Sequence, residues 1–323
     1  MVCSGAGKTQ LLLTLLLASQ LPPPHGLSKS AIYISTEATL ATNRLTQLLS
    51  THPSLVPLSP KDKPSLSRIL SIQTPDLESQ EHILRYQLPV AIKKHGVGLV
   101  ILDSVAANYR AEFEKTGARN GAASMAKRGT QLIQLGALLR ELARTEGISV
   151  VVANQVADRF TQPHFSASSQ PASRTPSSNS QRADRENTPQ YSLNYQGSNP
   201  PSQIEGGLTL SPDPLTLDHQ QRWFTGWGDM QSDSPQSLKT PSLGLVWTNQ
   251  IACRIALIKQ PVFATRPTML HVNGEEPWNE ENHIAKWRRW FKVVFAPWAP
   301  PSDGRGVEFE VLKSGIQHVS QQE

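Results

Sequence analysis

Ser4-Gly5-Ala6-Gly7-Lys8-Thr9-Gln10 is the stretch that decides how this chain is read. It matches the closing half of the phosphate-loop pattern G-x-x-x-x-G-K-[ST]. Small residues there let successive backbone N–H groups turn inward around phosphate oxygens. The lysine reaches the β- and γ-phosphates, and the hydroxyl residue ligates Mg²⁺. Counting back from Gly7, the first glycine of the pattern falls on Val2, and the strand that should feed the loop is missing. The expectation is a truncated chain or a misplaced start codon.

Leu11-Leu12-Leu13-Thr14-Leu15-Leu16-Leu17-Ala18 follows the loop. These leucines read either as a helix docked on a sheet or as the apolar region of a secretory signal. The run is too short to span a bilayer. The helix, Gln10–Gln20, should stop at Pro22-Pro23-Pro24.

Beyond it, apolar runs alternate with helical patterns as far as residue 156. Ala31–Ser35, Ile69–Ile72, Leu99–Asp103 and Ile148–Val152 read as strands. Asn43–Ser50, Leu77–His95 and Ser124–Arg144 read as helices, the last with Leu132, Leu135, Leu138, Leu139 and Leu142 along one side. Alternation of this kind predicts βαβ units and a mostly parallel sheet.

Between Thr161 and Glu205, Ser, Pro and Gln supply 22 of 45 residues, too polar a segment to offset chain entropy by burial. A disordered insertion over residues 157–240 is expected, inside a core made of residues 1–156 and 241–323. In the last part Ile251–Ile258, Trp290–Phe295 and Glu308–Leu312 are strand candidates, forming an antiparallel extension at one edge of the sheet.

At 323 residues the chain can bury a full core, and its net charge of +5 permits a nucleic-acid partner without requiring one. Two isolated cysteines, Cys3 and Cys253, exclude a disulfide framework. The nine histidines lack metal-binding spacing.

Three acids and amides stand where strands end. Asp103 closes Leu99–Asp103 and fits either a support for Mg²⁺ opposite Thr9 or a cap of the next helix. Glu37, just past Ala31–Ser35, fits either a base for the attacking water or a solvent-facing loop acid. Asn154-Gln155 fit either γ-phosphate ligands or turn residues. In Lys286-Trp287-Arg288-Arg289-Trp290-Phe291-Lys292, an edge strand with packed aromatics and exposed arginines is favoured over a stacking platform for single strands.

Ser4–Gln10, Tyr33–Glu37, Leu99–Ala106 with Arg110, and Val150–Val156 stand in the order and spacing of RecA-type recombinases. The chain resembles the eukaryotic recombinase paralogue branch, of the X-ray repair cross-complementing and yeast radiation-sensitivity type. Ser242–Gln250 with Arg254 is similar to the segment after that family's second DNA loop. The resemblance implies a RecA-like α/β core and a weak, DNA-dependent ATPase that uses ATP and Mg²⁺. Ser4, Gly5, Ala6, Gly7, Lys8, Thr9 and Gln10 would cradle the nucleotide with Asp103, and Thr9 and Asp103 would hold the metal. Glu37, Lys8 and Gln155 would be catalytic.

It also implies DNA-facing loops at about Asn108–Ser124 and within Ala157–Pro241, with Arg110, Arg119, Lys127 and Arg128 touching DNA. The implied partners are single-stranded or branched DNA, the main RecA-type recombinase and a second paralogue as heterodimer partner. Homologous-recombination repair in the nucleus, with no membrane association, follows from the same likeness. A non-hydrolysing scaffold that bridges recombination proteins is the alternative.

Overall fold

The computed structural model describes residues 5–115, 121–158, 239–263 and 284–319. Residues 159–238, which hold most of the expected insertion, lie outside the described residues, as do Ser4 and Arg119.

The first layer is a parallel sheet. Strands β1 (Ser30–Ser35), β2 (Ile69–Gln73), β3 (Val97–Asp103) and β4 (Ser149–Ala153) are arranged in the order β2-β1-β3-β4. All three ladders are parallel, and β3 is buried on both faces apart from its terminal acid. That two-sided burial explains the unbroken apolar run of β3, because helices cover both faces of a parallel sheet. Registers align the carboxyl ends, with Ser35 opposite both Gln73 and Asp103, and Asp103 opposite Ala153.

Side chains alternate between two cores, as a strand's period of two requires. Ile32, Ile34, Val100 and Leu102 face one core. It is completed by α3 (Leu77–His82), a π turn at Ile83–Gln87, α4 (Leu88–His95) and α6 (Gly121–Glu146). Ala31, Tyr33, Leu99 and Ile101 face the other, against α1 (Lys8–Ala18) and α2 (Thr42–Thr51). Leu12, Leu13, Leu16 and Leu17 of the leucine run are all buried in this second core. The helix reading of that stretch therefore accounts for every one of them.

Asp76 caps α3 by accepting from Ser79 N at 2.7 Å, and left-handed Gly96 (φ 58°) closes α4. The segment expected as a loop at Asn108–Ser124 is largely helical. Helix α5 (Val105–Lys115) occupies its first half and α6 begins at Gly121. The buried ends Val105, Ala106 and Tyr109 tie α5 to the core, although the segment beyond is too polar to show helical periodicity.

A two-residue step after β4 leads to a short antiparallel pair, β5 (Val156–Asp158) with β6 (Lys239–Pro241), and then to α7 (Gly244–Thr248). The expected antiparallel extension is present as a sheet of its own. It comprises β7 (Arg254–Phe263), β8 (Ile284–Phe295), β9 (Val307–Leu312) and β10 (Gly315–His318), in the order β10-β9-β8-β7.

The aromatics of β8 do not share one face. Trp287 and Trp290 are an odd number of residues apart, so period two sends them to opposite sides. Trp290 is buried, with the guanidinium carbons of Arg288 and Arg305 5.1 and 5.2 Å from its ring centroid, while the exposed Trp287 carries Lys259 Nζ 3.8 Å from its ring centroid. Arg288 is not simply solvated either, since it is hydrogen-bonded to Glu308 through Nε at 2.7 Å.

Candidate functional site

The phosphate loop is shaped by two left-handed glycines. Gly5 has φ 83° and Gly7 φ 101°, and Gly7 serves as the N-cap of α1, with Leu11 N donating to its carbonyl at 2.9 Å. Alternating handedness of this kind turns successive N–H groups toward one concave side. The helix that follows adds the positive end of its dipole.

Gly7 also relieves a tight approach. A Cβ there would lie 3.2 and 3.4 Å from ring atoms of Phe309 and 3.6 Å from Val311 Cγ2. The antiparallel sheet thus packs against the back of the loop. Arg289 Nε donates to Gly5 O at 3.0 Å, and a Cβ on Gly5 would stand 3.2 Å from Lys259 Nζ. Lys259 and Arg289 are directly opposite in the β7–β8 ladder, so both cations approach from one face.

Opposite the loop, the carboxyl end of β3 presents Asp103. Its Oδ2 accepts from Thr9 Oγ1 at 3.3 Å and from Tyr33 OH at 2.8 Å. Tyr33 is buried, and its phenol is held well above the usual tyrosine range by burial first, then by the charge and hydrogen bond of Asp103. The phenol therefore stays a donor at all ordinary pH values.

Gln10 is placed by Arg44, whose Nε donates to Gln10 Oε1 at 2.8 Å. Thr36 joins β1 to β3 past their ends. Its N–H donates to Asp103 O at 3.0 Å, and its hydroxyl both donates to Ser104 O at 2.9 Å and accepts from Ser104 N at 3.0 Å.

Glu37 is exposed at its backbone bend, yet its carboxylate is engaged. Gln155 Nε2 donates to Glu37 Oε1 and Oε2 at 3.0 Å each, and lies 3.3 Å from Ser104 Oγ. On its other side Gln155 Oε1 accepts from the Arg110 guanidinium. The backbone of Gln155 is fixed as well, its carbonyl accepting from Ser242 N and Oγ at 3.0 Å each.

The structure thus brings together Gly5, Ala6, Gly7, Lys8 and Thr9 with Asp103, and separately joins Glu37, Gln155 and Arg110. Asp103, Glu37 and Gln155 stand at or just past the aligned carboxyl ends of β3, β1 and β4, whereas residues 5–9 come from the loop and first turn of α1 and Arg110 from α5. Lys127 and Arg128 lie on α6, with Lys127 exposed. Tyr33, Ser104 and Ser242 were not picked out from sequence as site residues. None carried a local signal, although Tyr33 stands two residues before the end of β1.

The donor set fits magnesium and a polyphosphate. A hydroxyl and a carboxylate are hard oxygen ligands of the type Mg²⁺ prefers, and they meet beside a loop of inward-turned amides. Among the described residues no group of three or more His, Cys, Asp or Glu could hold a metal ion alone, so phosphate oxygens and water would complete the shell.

A model of the Rad51 family matches residues 4–176. The chain belongs to the Rad51 family. It is 36% identical to the DNA repair protein rhp57 of Schizosaccharomyces pombe over 310 residues, which cover 94% of this chain and 68% of that protein. Against the DNA repair protein RAD57 of Saccharomyces cerevisiae it is 36% identical over 159 residues, 48% of this chain and 33% of that protein. Against the DNA repair protein XRCC3 of Bos taurus it is 37% identical over 160 residues, 48% of this chain and 45% of that protein. The resemblance to the recombinase paralogues is borne out, and with it the RecA-like core. The chain spans half or less of the last two relatives and about two thirds of the first.

Proposed function

We propose that this Rad51-family chain binds ATP with Mg²⁺ and acts in DNA repair by homologous recombination, as a slow DNA-dependent ATPase that assists a recombinase filament. The observation that carries the reading is the meeting of Thr9 and Asp103 beside the glycine loop, with Glu37 and Gln155 joined at the same sheet edge. On this reading four roles of a phosphate-transfer site fall to named residues.

Lys8 and the loop amides bind the β- and γ-phosphates. Thr9 and Asp103 hold the metal, which when bound supplies neutralisation of charge on the phosphate oxygens. Glu37 orients a water and accepts its proton. Gln155, fixed to Glu37, senses whether the γ-phosphate is present.

Lys127, Arg128 and Arg119 are the candidate contacts to single-stranded or branched DNA, through phosphates and without sequence preference. The main RecA-type recombinase and a second paralogue are the protein partners this reading proposes, and the nucleus is the proposed site of action. The names of the relatives, all DNA repair proteins, support this assignment.

Titration of the full chain with a fluorescent ATP analogue, with and without Mg²⁺, tests it. Binding should depend on Mg²⁺ and fall at least tenfold in Lys8→Ala, a loss on the order of 1.4 kcal/mol or more. Glu37→Gln should retain binding while losing hydrolysis. Equal binding by wild type and Lys8→Ala would sink the site, and repair activity unaffected by Lys8→Ala in cells would favour a scaffold.

A further inference from the structure

Arg110 stands among the residues that family resemblance assigns to DNA, yet its guanidinium is hydrogen-bonded into the hydrolytic cluster. We propose that Arg110 is a positioning residue for catalysis, holding the Gln155 amide onto Glu37, and not a contact to a nucleic-acid phosphate. This rests on the nucleotide-site reading given above.

The chemistry of the three groups fixes one arrangement. A guanidinium only donates hydrogen bonds, and a carboxylate only accepts them. An amide placed between them satisfies both in a single orientation, with oxygen toward Arg110 and nitrogen toward Glu37. Gln155 Nε2 is 3.0 Å from both Glu37 oxygens, which is the orientation required. Arg110 draws electron density toward the amide oxygen and makes the amide a stronger donor to Glu37, as linked hydrogen bonds polarise one another.

Every other polar group of Gln155 is also engaged. Its N–H donates to Asn154 Oδ1 at 2.8 Å, and its carbonyl is taken by Ser242. Gln155 is 8% exposed, so water is a poor substitute for the guanidinium.

Helix α5 presents Arg110 from a fixed base. Asn108 Nδ2, two residues earlier, donates to Thr74 O at 3.2 Å, Asp76 O at 3.1 Å and Gln80 Oε1 at 3.1 Å. Tyr109 is buried beside it. Reaching a DNA phosphate would cost Arg110 its bond to the amide.

The test uses the full chain carrying Arg110→Ala, Arg110→Lys, Gln155→Ala and the Arg110→Ala/Gln155→Ala double substitution. ATP hydrolysis without nucleic acid should fall about tenfold in Arg110→Ala, the factor expected for one lost charge-assisted hydrogen bond. Affinity for ATP should stay within about twofold, since Arg110 bonds none of Lys8, Thr9, Asp103 and the loop amides, which carry most of the nucleotide binding, and reaches the γ-phosphate only through Gln155. Arg110→Lys should recover part of the rate by donating to the same oxygen.

Affinity for a thymidine oligonucleotide, and its slope against salt, should be unchanged by Arg110→Ala. In urea unfolding, the two single substitutions should together cost clearly more than the double one. This stability cycle reads the contact even where hydrolysis is too slow to measure.

Additive stabilities in the cycle would overturn the proposal. So would an intact rate accompanied by weaker oligonucleotide binding and a salt slope shallower by about one, the signature of a lost phosphate contact. A wild type that binds no ATP would remove the nucleotide reading, whereas additivity in a wild type that does bind ATP would remove this role alone.

Discussion

Replacing Tyr33 by Phe removes one hydroxyl from the apparatus that holds Asp103. The phenol donates to Asp103 Oδ2 at 2.8 Å from a buried position. A hydrogen bond onto a charged group contributes about 1.5–3 kcal/mol. Two features place Tyr33 at the low end. Thr9 still donates to the same oxygen at 3.3 Å, and Asp103 is half-buried, so water can replace the phenol. A loss of about 1.5 kcal/mol in Tyr33→Phe corresponds to about 2 °C in Tm for a chain of 323 residues.

The pH dependence gives the prediction its sign. Burial and Asp103 raise the folded-state pKa of Tyr33 above the ordinary value of 10.0. Below pH 10 the phenol is protonated in both folded and unfolded chains, and its contribution is fully present. Above it the unfolded chain ionises first, so that contribution is lost at about 1.4 kcal/mol per pH unit. Wild type and Tyr33→Phe should therefore differ at pH 8 and converge near pH 11. Tyr109, whose pKa is pushed up to about 12 by burial and the charge of Glu81, is common to both proteins and cancels in the difference. Urea unfolding across pH 7–11 is the assay. Equal midpoints at pH 8, or a gap that stays constant to pH 11, would refute the hydrogen-bond reasoning.

Arg44 ties α2 to Gln10 at 2.8 Å and to the carbonyl of Lys313 at 2.8 Å. Arg44→Ala should cost about 1–2 kcal/mol in urea unfolding, with Arg44→Lys recovering the smaller share because it lacks the fork geometry. Gly306 has φ 84°, and a Cβ there would lie 2.3 Å from the backbone oxygen of Phe291. Gly306→Ala should lower stability by about 3 kcal/mol or more, measured by thermal unfolding, since neither backbone can give way. Burial lowers the pKa of His52 below its ordinary 6.5, so the neutral ring is favoured in the fold. Its contribution is present above pH 6.5 and lost below. His52→Gln should show a smaller drop in unfolding midpoint between pH 7.5 and pH 5.5 than wild type.

The parallel core was legible because burial on both faces leaves nothing but apolar residues in strands such as Val97–Asp103. Asp103, Glu37 and Gln155 were legible for a related reason. Each stands at, or two residues beyond, the end of a strand, and register then lines those ends up. Helix α5 was not legible, because Asn108–Lys115 mixes polar residues without an apolar stripe and owes its place to Tyr109 and the bonds of Asn108. Tyr33 reads as one more apolar strand residue until the fold brings Asp103, 70 positions away, against its hydroxyl. Arg110 reads as a solvated base, since nothing local records that Gln155 lies beside it.

The glycines of the phosphate loop answer to two constraints that a sequence pattern reports as one. Their positive φ values turn amides inward, which is the requirement the pattern encodes. Their bare Cα atoms also let Phe309 and Lys259 approach so closely that a Cβ would stand 3.2 Å from each, a tight contact that the neighbours would have to relieve by a few tenths of an ångström. Arg289 then closes onto the carbonyl of Gly5, so the loop is held from behind by strands nearly 300 residues away. A loop braced in this way needs less ordering when an anion arrives, which favours affinity by lowering the entropy lost on binding. On the proposed reading the antiparallel sheet is part of the phosphate site, and damage to β8 or β9 should reach a bound nucleotide through Gly5 and Gly7 before it reaches Glu37.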